Sequence, residues 1–182
     1  MKKNTPPRPK LILGLGNPSQ EYTLTYHNLG RLTVESLIEK NRPRQTKKVT
    51  SKKYEIIKLK DQYLGYSLVF MNDSGKAVIE ASKKFGIAPE DILVIHDDSD
   101  IGIGQYKLTF GQGAAGHKGI LSIINSLGTK NFWRLRLGIR PNQKNPLSKR
   151  PRAKSFVLKK ITPHHQETFM KLIDEINAKI LN

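Results

Sequence analysis

The chain has 182 residues, 32 Lys and Arg against 15 Asp and Glu, five His and no Cys, for a formal net charge of +17. This length suits one domain with a core large enough to need no disulfide or metal, and zero cysteine excludes a thiolate metal site or a Cys nucleophile. Residues 1–10 are basic and proline-rich without an apolar segment, and no run approaches about 18 apolar residues, so a signal peptide and a membrane span are not expected and a cytoplasmic protein is.

In chain order, residues 10–15 form a short apolar run ending in glycine, the pattern of a buried strand, and Leu29, Leu32, Leu37 and Ile38 place a helix over 27–40. Residues 41–53 are polar, basic and proline-containing and read as a loop. Residues 54–60 and 63–70 flank Asp61-Gln62 as a hairpin. A helix over 74–85 stops at Gly86, a strand covers 92–96 and another 105–110, and a short helix over 120–127 ends at Gly128. Residues 133–139 read as a strand with Arg134 and Arg136 alternating. Thr162 and Pro163 look like the N-cap and first position of a closing helix that buries Phe169, Leu172, Ile173, Ile176 and Ile180. Strands alternating with helices around one hairpin predict an α/β fold: a single domain, 1–182, with a mixed twisted sheet sandwiched between helices. Residues 1–10 read as a basic N-terminal extension and 141–154 as a flexible basic flap.

Charge is concentrated. Residues 1–10 carry +4, 40–60 carry +8, and 130–160 carry +11 without one acid, while the remainder is net negative. Such a one-sided distribution points to a polyanionic partner, because eleven uncompensated bases repel one another unless phosphates lie nearby.

Several segments could carry chemistry. Gly14-Leu15-Gly16-Asn17-Pro18 directly follows a strand, where α/β folds place their ligand crevice; a structural turn explains the glycines but not Asn17. His27-Asn28 stands at a helix entry, and an imidazole is the usual general base at neutral pH once a carboxylate orients it. His96-Asp97-Asp98-Ser99-Asp100 offers that carboxylate just past an apolar strand, although the same acids could hold Mg²⁺ or form a plain acidic turn. Residues 111–119, Gly-Gln-Gly-Ala-Ala-Gly-His-Lys-Gly, satisfy G-x-G-x-x-G, but the region about 20 residues on holds Arg134 and Arg136 rather than a ribose-binding acid. An NADP reductase is the only nucleotide-cofactor reading left, and an anion cradle at a helix N-terminus fits the basic surroundings better. In Phe70-Met71-Asn72-Asp73-Ser74-Gly75, Asn72 or Ser74 could cap the following helix; neither a nucleophile elbow nor a P-loop is present.

Taken together, Gly14-Leu15-Gly16-Asn17-Pro18, Tyr22-x-x-Thr25-x-His27-Asn28-x-Gly30, Phe70-Met71-Asn72-x-Ser74-Gly75, His96-Asp97-Asp98, His117-x-Gly119 and Leu127-Gly128-Thr129 with Phe132-x-Arg134-Leu135-Arg136-x-Gly138-Ile139 occur in the order of a known family. Residues 11–158 resemble bacterial-type peptidyl-tRNA hydrolase. The resemblance implies a monomeric enzyme that cleaves the ester between a peptide and the terminal ribose of tRNA, without metal or cofactor. It implies His27 as general base, Asp97 as its orienting partner, and Asn17 and Asn72 as groups that position substrate and stabilise the developing oxyanion. Substrate contacts are expected from Tyr22, Asn17, Asn72, Met71, His117 and Lys118, and tRNA contacts from Lys107, Lys118, Arg134, Arg136, Arg140, Lys149, Arg150 and Arg152. Two positions depart from the family pattern: Lys118 stands where Asn is usual, and Tyr26 where Arg is usual. The alternative they leave is a catalytically weakened relative that acts as an RNA-binding protein.

Overall fold

The computed structural model describes residues 8–42, 46–141 and 152–180. Its strands are β1 (Leu11–Gly14), β2 (Lys48–Thr50), β3 (Tyr54–Leu59), β4 (Gln62–Ser67), β5 (Ile92–Gly102), β6 (Tyr106–Phe110) and β7 (Trp133–Arg140); its helices are α1 (Leu29–Asn41), α2 (Ser74–Phe85), α3 (Lys118–Leu127) and α4 (Pro163–Ile180). The seven strands form one mixed sheet in the order β2-β3-β4-β1-β5-β7-β6. The four central strands, β4, β1, β5 and β7, pair in parallel, and the antiparallel pairings lie toward the edges. Alternate residues of the central strands feed two cores. Ile12, Leu93, Ile95, Leu135 and Leu137 pack with α1 and α4, and Leu11, Leu13, Ile92 and Val94 with α2 and α3. Strands buried on both faces are continuously apolar, as 92–95 is.

Because β4 lies on one side of β1 and β5 on the other, the sheet has its switch point at the carboxyl end of β1, where open α/β sheets bind ligands. Two glycines let α1 close on that point. A Cβ on Gly14 would sit 2.4 Å from the Gly30 carbonyl oxygen, and one on Gly30 would sit 2.2 Å from that of Ile95. This contact brings the residues just before α1 against β5.

Three expectations need correction. The polar stretch 41–53 contains the edge strand β2, held by antiparallel pairing to β3 rather than by apolar content. Strand β5 does not end at His96 but continues through the acids to Gly102, beside β7, with a bulge between Asp98 and Gly102. Neither Asn72 nor Ser74 caps α2: Met71–Asp73 form a single 3₁₀ turn, and the buried Ser74 hydroxyl donates back to the Met71 carbonyl at 2.8 Å. The cap at Thr162 is present, its hydroxyl accepting from the His165 amide at 3.3 Å. Gly86 and Gly128 end α2 and α3 in the left-handed conformation that favours glycine. Most of the extension at 1–10 and of the flap at 141–154 lies outside the described residues; within the latter, Ala153–Ser155 form a 3₁₀ turn.

Candidate active site

The approach of α1 to β5 places His27, in the one-turn 3₁₀ segment Tyr26–Asn28, beside Asp97. The His27 Nδ1 lies 2.9 Å from both oxygens of the Asp97 carboxylate. Nδ1–H therefore donates, and the Nε2 lone pair is left free. Asp97 is 2% exposed and also accepts from His117 Nε2–H at 3.1 Å. The other His117 nitrogen, Nδ1, accepts from the Ile120 amide at 3.3 Å and so caps α3. His117 has no lone pair left to act as a base. His96 is fully buried, and its Nδ1–H donates to the Asp97 carbonyl at 2.7 Å. Of the three imidazoles, His27 alone combines access with a free nitrogen.

Electrostatics agree with these roles. Burial opposes the Asp97 charge, but His27 and His117 outweigh it and hold the carboxyl far below the usual carboxylate range. Burial pulls the His27 pKa down, the Asp97 charge and hydrogen bond push it up more strongly, and Lys118 pulls it down again; the net direction is upward. Burial, and next the neighbouring His117, holds His96 well below the ordinary imidazole value, so it stays neutral.

Asn17 follows β1 and is buried. Its amide N–H donates to Asn28 Oδ1 at 2.8 Å, its carbonyl accepts from Asn28 Nδ2 at 3.0 Å, and its own Oδ1 accepts from the Met71 amide at 2.8 Å. Asn17 thus fixes the turn that carries Asn72, and its Nδ2 has no partner among the described residues. The sequence quoted Asn28 but gave it no task; its two-bond exchange with Asn17 is a purely tertiary feature. Asn72 is solvent-exposed on that turn. Met71, expected to touch substrate, is buried among Leu15, Gly119 and the Ser74 hydroxyl, in the core on the α2 and α3 side of the sheet. Tyr22 is half-buried, its ring edge-on to the exposed Phe70 at 6.4 Å.

A cavity of about 280 Å³ opens beside His27, lined by Asp98, His117, Lys118, Arg136, the glycine loop at 112–116, and Lys154 and Val157. Asn17, Tyr22, Met71 and Asn72 do not line it. Arg134, expected to meet tRNA, is only 3% exposed and donates to the Gly113 carbonyl at 3.0 Å, so it anchors the glycine loop instead of facing phosphate. Arg136 pairs with Asp98 at 2.7 Å. Arg140 is partly exposed and donates to the Ser99 carbonyl at 3.1 Å, while Lys107, Lys118 and Arg152 are exposed. Lys149 and Arg150 lie outside the described residues.

The alternative chemistries fit less well. His27, Asp97 and His117 bring possible metal-ligand atoms within 4.8 Å of one another. A metal on His117 Nε2 would, however, force a proton onto Nδ1, opposite the Ile120 N–H. The Mg²⁺ reading fails on the same acids, since Asp97 serves two histidines and Asp98 serves Arg136 and the Asp100 amide. The glycine loop joins β6 to α3 and then β7, and β6 and β7 are antiparallel. A dinucleotide fingerprint belongs instead to a parallel βαβ unit.

Lys118 opens α3 and faces the cavity with His27. Lys118→Asn is expected to raise the His27 pKa, read as an upward shift of its imidazole titration by NMR; an unmoved titration would show that the ammonium points away.

An oriented imidazole with a free nitrogen beside amide groups at the switch point, with no Ser or Thr hydroxyl bonded to His27 among the described residues, is the arrangement of a hydrolytic site on an α/β sheet. Comparison with known proteins agrees. A family model described as peptidyl-tRNA hydrolase matches residues 11–181. The peptidyl-tRNA hydrolase of Lactobacillus gasseri is 38% identical over 179 residues, 95% of this chain and 91% of that protein, and that of Aquifex aeolicus is 34% identical over 167 residues, 90% and 84% of the two chains. The crystal structure of the Acinetobacter baumannii peptidyl-tRNA hydrolase superposes with a TM-score of 0.79 at 34% identity, covering 95% of this chain and 87% of that one. The chain belongs to the peptidyl-tRNA hydrolase family.

Proposed function

We propose that the protein hydrolyses the ester between a peptide and the 3′-terminal ribose of tRNA, returning free tRNA. The observation that carries the reading is the His27 imidazole, oriented through Nδ1 by Asp97 with Nε2 free. Water on Nε2 loses a proton to His27 as it attacks the ester carbonyl. Asp97 stabilises the imidazolium that forms. The Asn17 Nδ2 and the Asn72 amide donate to the developing oxyanion, with the Lys118 ammonium adding positive charge on the cavity side. The imidazolium then returns its proton to the departing ribose oxygen. Nothing in the site favours the alternative reading as an RNA-binding relative.

The test is release of free tRNA from an N-acylaminoacyl-tRNA by the purified chain. Turnover without added metal or cofactor is expected, and no release at any enzyme concentration overturns the reading.

Lys107, Lys118, Arg140 and Arg152 are the described bases that this reading sets against tRNA phosphates. With about four phosphates neutralised, affinity for tRNA should fall about 100-fold between roughly 50 and 200 mM salt. A filter-binding titration that is flat in salt would remove these bases from the interface. No helix among the described residues is long and apolar enough to cross a membrane. The reading is of a single-domain enzyme acting as a monomer in the cytoplasm.

A further inference from the structure

His27 occupies a single 3₁₀ turn with no side-chain cap at Thr25, so local structure does little to fix it. What holds it is a short ladder to the far end of the chain. The Ile161 amide donates to the Leu24 carbonyl at 2.7 Å, the Tyr26 amide to Lys159 at 3.2 Å, and the His27 amide to Val157 at 2.8 Å, around a bridge between Thr25 and Lys160. Residues 157–161 pair with nothing longer than this bridge and lead straight into α4 at Pro163. The place of the imidazole is therefore set jointly by the α1–β5 contact and by where α4 begins.

Tyr26 ties the two together. Its ring is 5% exposed and meets Phe156 edge-on at 6.4 Å and Phe169 of α4 edge-on at 6.3 Å. Its hydroxyl lies 2.6 Å from Nδ1 of His165 on the first turn of α4. Burial, with His164 alongside, lowers the His165 pKa and keeps the ring neutral, so the phenol donates and Nδ1 accepts. The other half of α4 is fixed independently, through Lys40 to Asp174 and through Asn41 to Asn177 at 2.6 Å. The helix is thus held to α1 at one end and to the residue next to His27 at the other.

We propose that Tyr26 and His165 are a positioning pair for the general base, in which the Tyr26–His165 hydrogen bond locks the start of α4 to the His27 ladder and fixes where His27 Nε2 points. The inference rests on His27 being the base. It assigns a task to one of the two residues that depart from the family pattern, and it makes the N-terminal turn of α4 part of the catalytic apparatus although it contacts no substrate.

Tyr26→Phe deletes only the hydroxyl and keeps the aromatic packing, which separates positioning from folding. It should lower kcat about fivefold to tenfold with KM unchanged, as a sub-ångström loss of alignment does. His165→Ala should match it, and the double variant should be no slower than either single. His165→Asn, whose Oδ1 can take the place of Nδ1, should recover most of the rate. Circular dichroism and thermal melting normalise each rate to folded protein. A Tyr26→Phe rate within twofold of the parent, or losses that multiply in the double variant, overturns the pair. His27→Ala run alongside keeps the two claims apart: full turnover in that variant removes the base itself, whereas loss in His27→Ala with none in Tyr26→Phe removes only the pair. If Tyr26→Phe does not fold, His165→Ala with His165→Asn carries the same comparison.

Discussion

His27→Ala is expected to lower kcat about 10³-fold while changing the dissociation constant for tRNA less than about threefold, within the range that positioned general bases contribute. The prediction is this large because no neighbouring imidazole can substitute. His117 has one nitrogen donating to Asp97 and the other accepting from Ile120, and His96 is 1% exposed. Binding should survive because the exposed bases proposed to meet phosphate are separate residues. In the parent, kcat/KM should rise with pH along an acid limb lying above the ordinary imidazole value. His27 must be unprotonated to act, and its pKa is displaced upward by Asp97 against burial and Lys118. Single-turnover tRNA release across pH, with filter binding in parallel, checks both parts. Equal loss of rate and binding would make His27 a structural residue.

What the sequence could and could not show follows from the range of the forces involved. Helix ends at Gly86 and Gly128 and the cap at Thr162 were legible because caps and left-handed glycines are decided within a few residues. Strand β2 was not legible: Lys48–Thr50 has little apolar content and exists because β3 offers an edge. Nor was the continuation of β5 through Asp97 and Asp98. Acids are poor strand formers, and here the cost is offset by histidines on Asp97 and by Arg136 on Asp98. That His27 and Asp97 should meet could be anticipated from motifs 70 residues apart in the chain. The burial of Arg134 could not, since its alternation with Arg136 along β7 reads equally as a basic face; only the glycine loop folding over it shows that its guanidinium holds the Gly113 carbonyl. Met71 failed for a related reason, because a methionine in a site motif serves as core or as contact according to what packs behind it.

Asp97→Asn should be nearly as damaging as loss of the base, about 10²- to 10³-fold in kcat, by way of the tautomer. Because His117 Nδ1 is held by the Ile120 amide, its Nε2 must donate to residue 97. The oxygen of the new amide therefore keeps the Oδ1 place, which faces both His117 and His27, and its NH₂ takes the Oδ2 place, which faces His27 alone. That N–H stands where His27 Nδ1–H had an acceptor and favours the tautomer with Nδ1 accepting and the proton on Nε2, which removes the lone pair that activated water. The double variant Asp97→Asn/His117→Ala frees the amide to turn its oxygen toward His27 and should regain about tenfold over the single variant. A double variant no faster than Asp97→Asn would show that the carboxylate charge, not the tautomer, is what was lost. The residual rate should shift its acid limb to lower pH, because the charge that raised the His27 pKa is absent while burial and Lys118 remain. Stability moves in the opposite part of the pH range. The folded-state pKa of Asp97 is depressed below its unfolded value near about 3.9, so the stabilisation it contributes is present above that pH and is lost as pH falls below it. Thermal midpoints of parent and Asp97→Asn should therefore differ at neutral pH and begin to draw together only below about pH 4, and a constant difference from about pH 7 down to about pH 2 would mean that Asp97 supports the fold by shape alone.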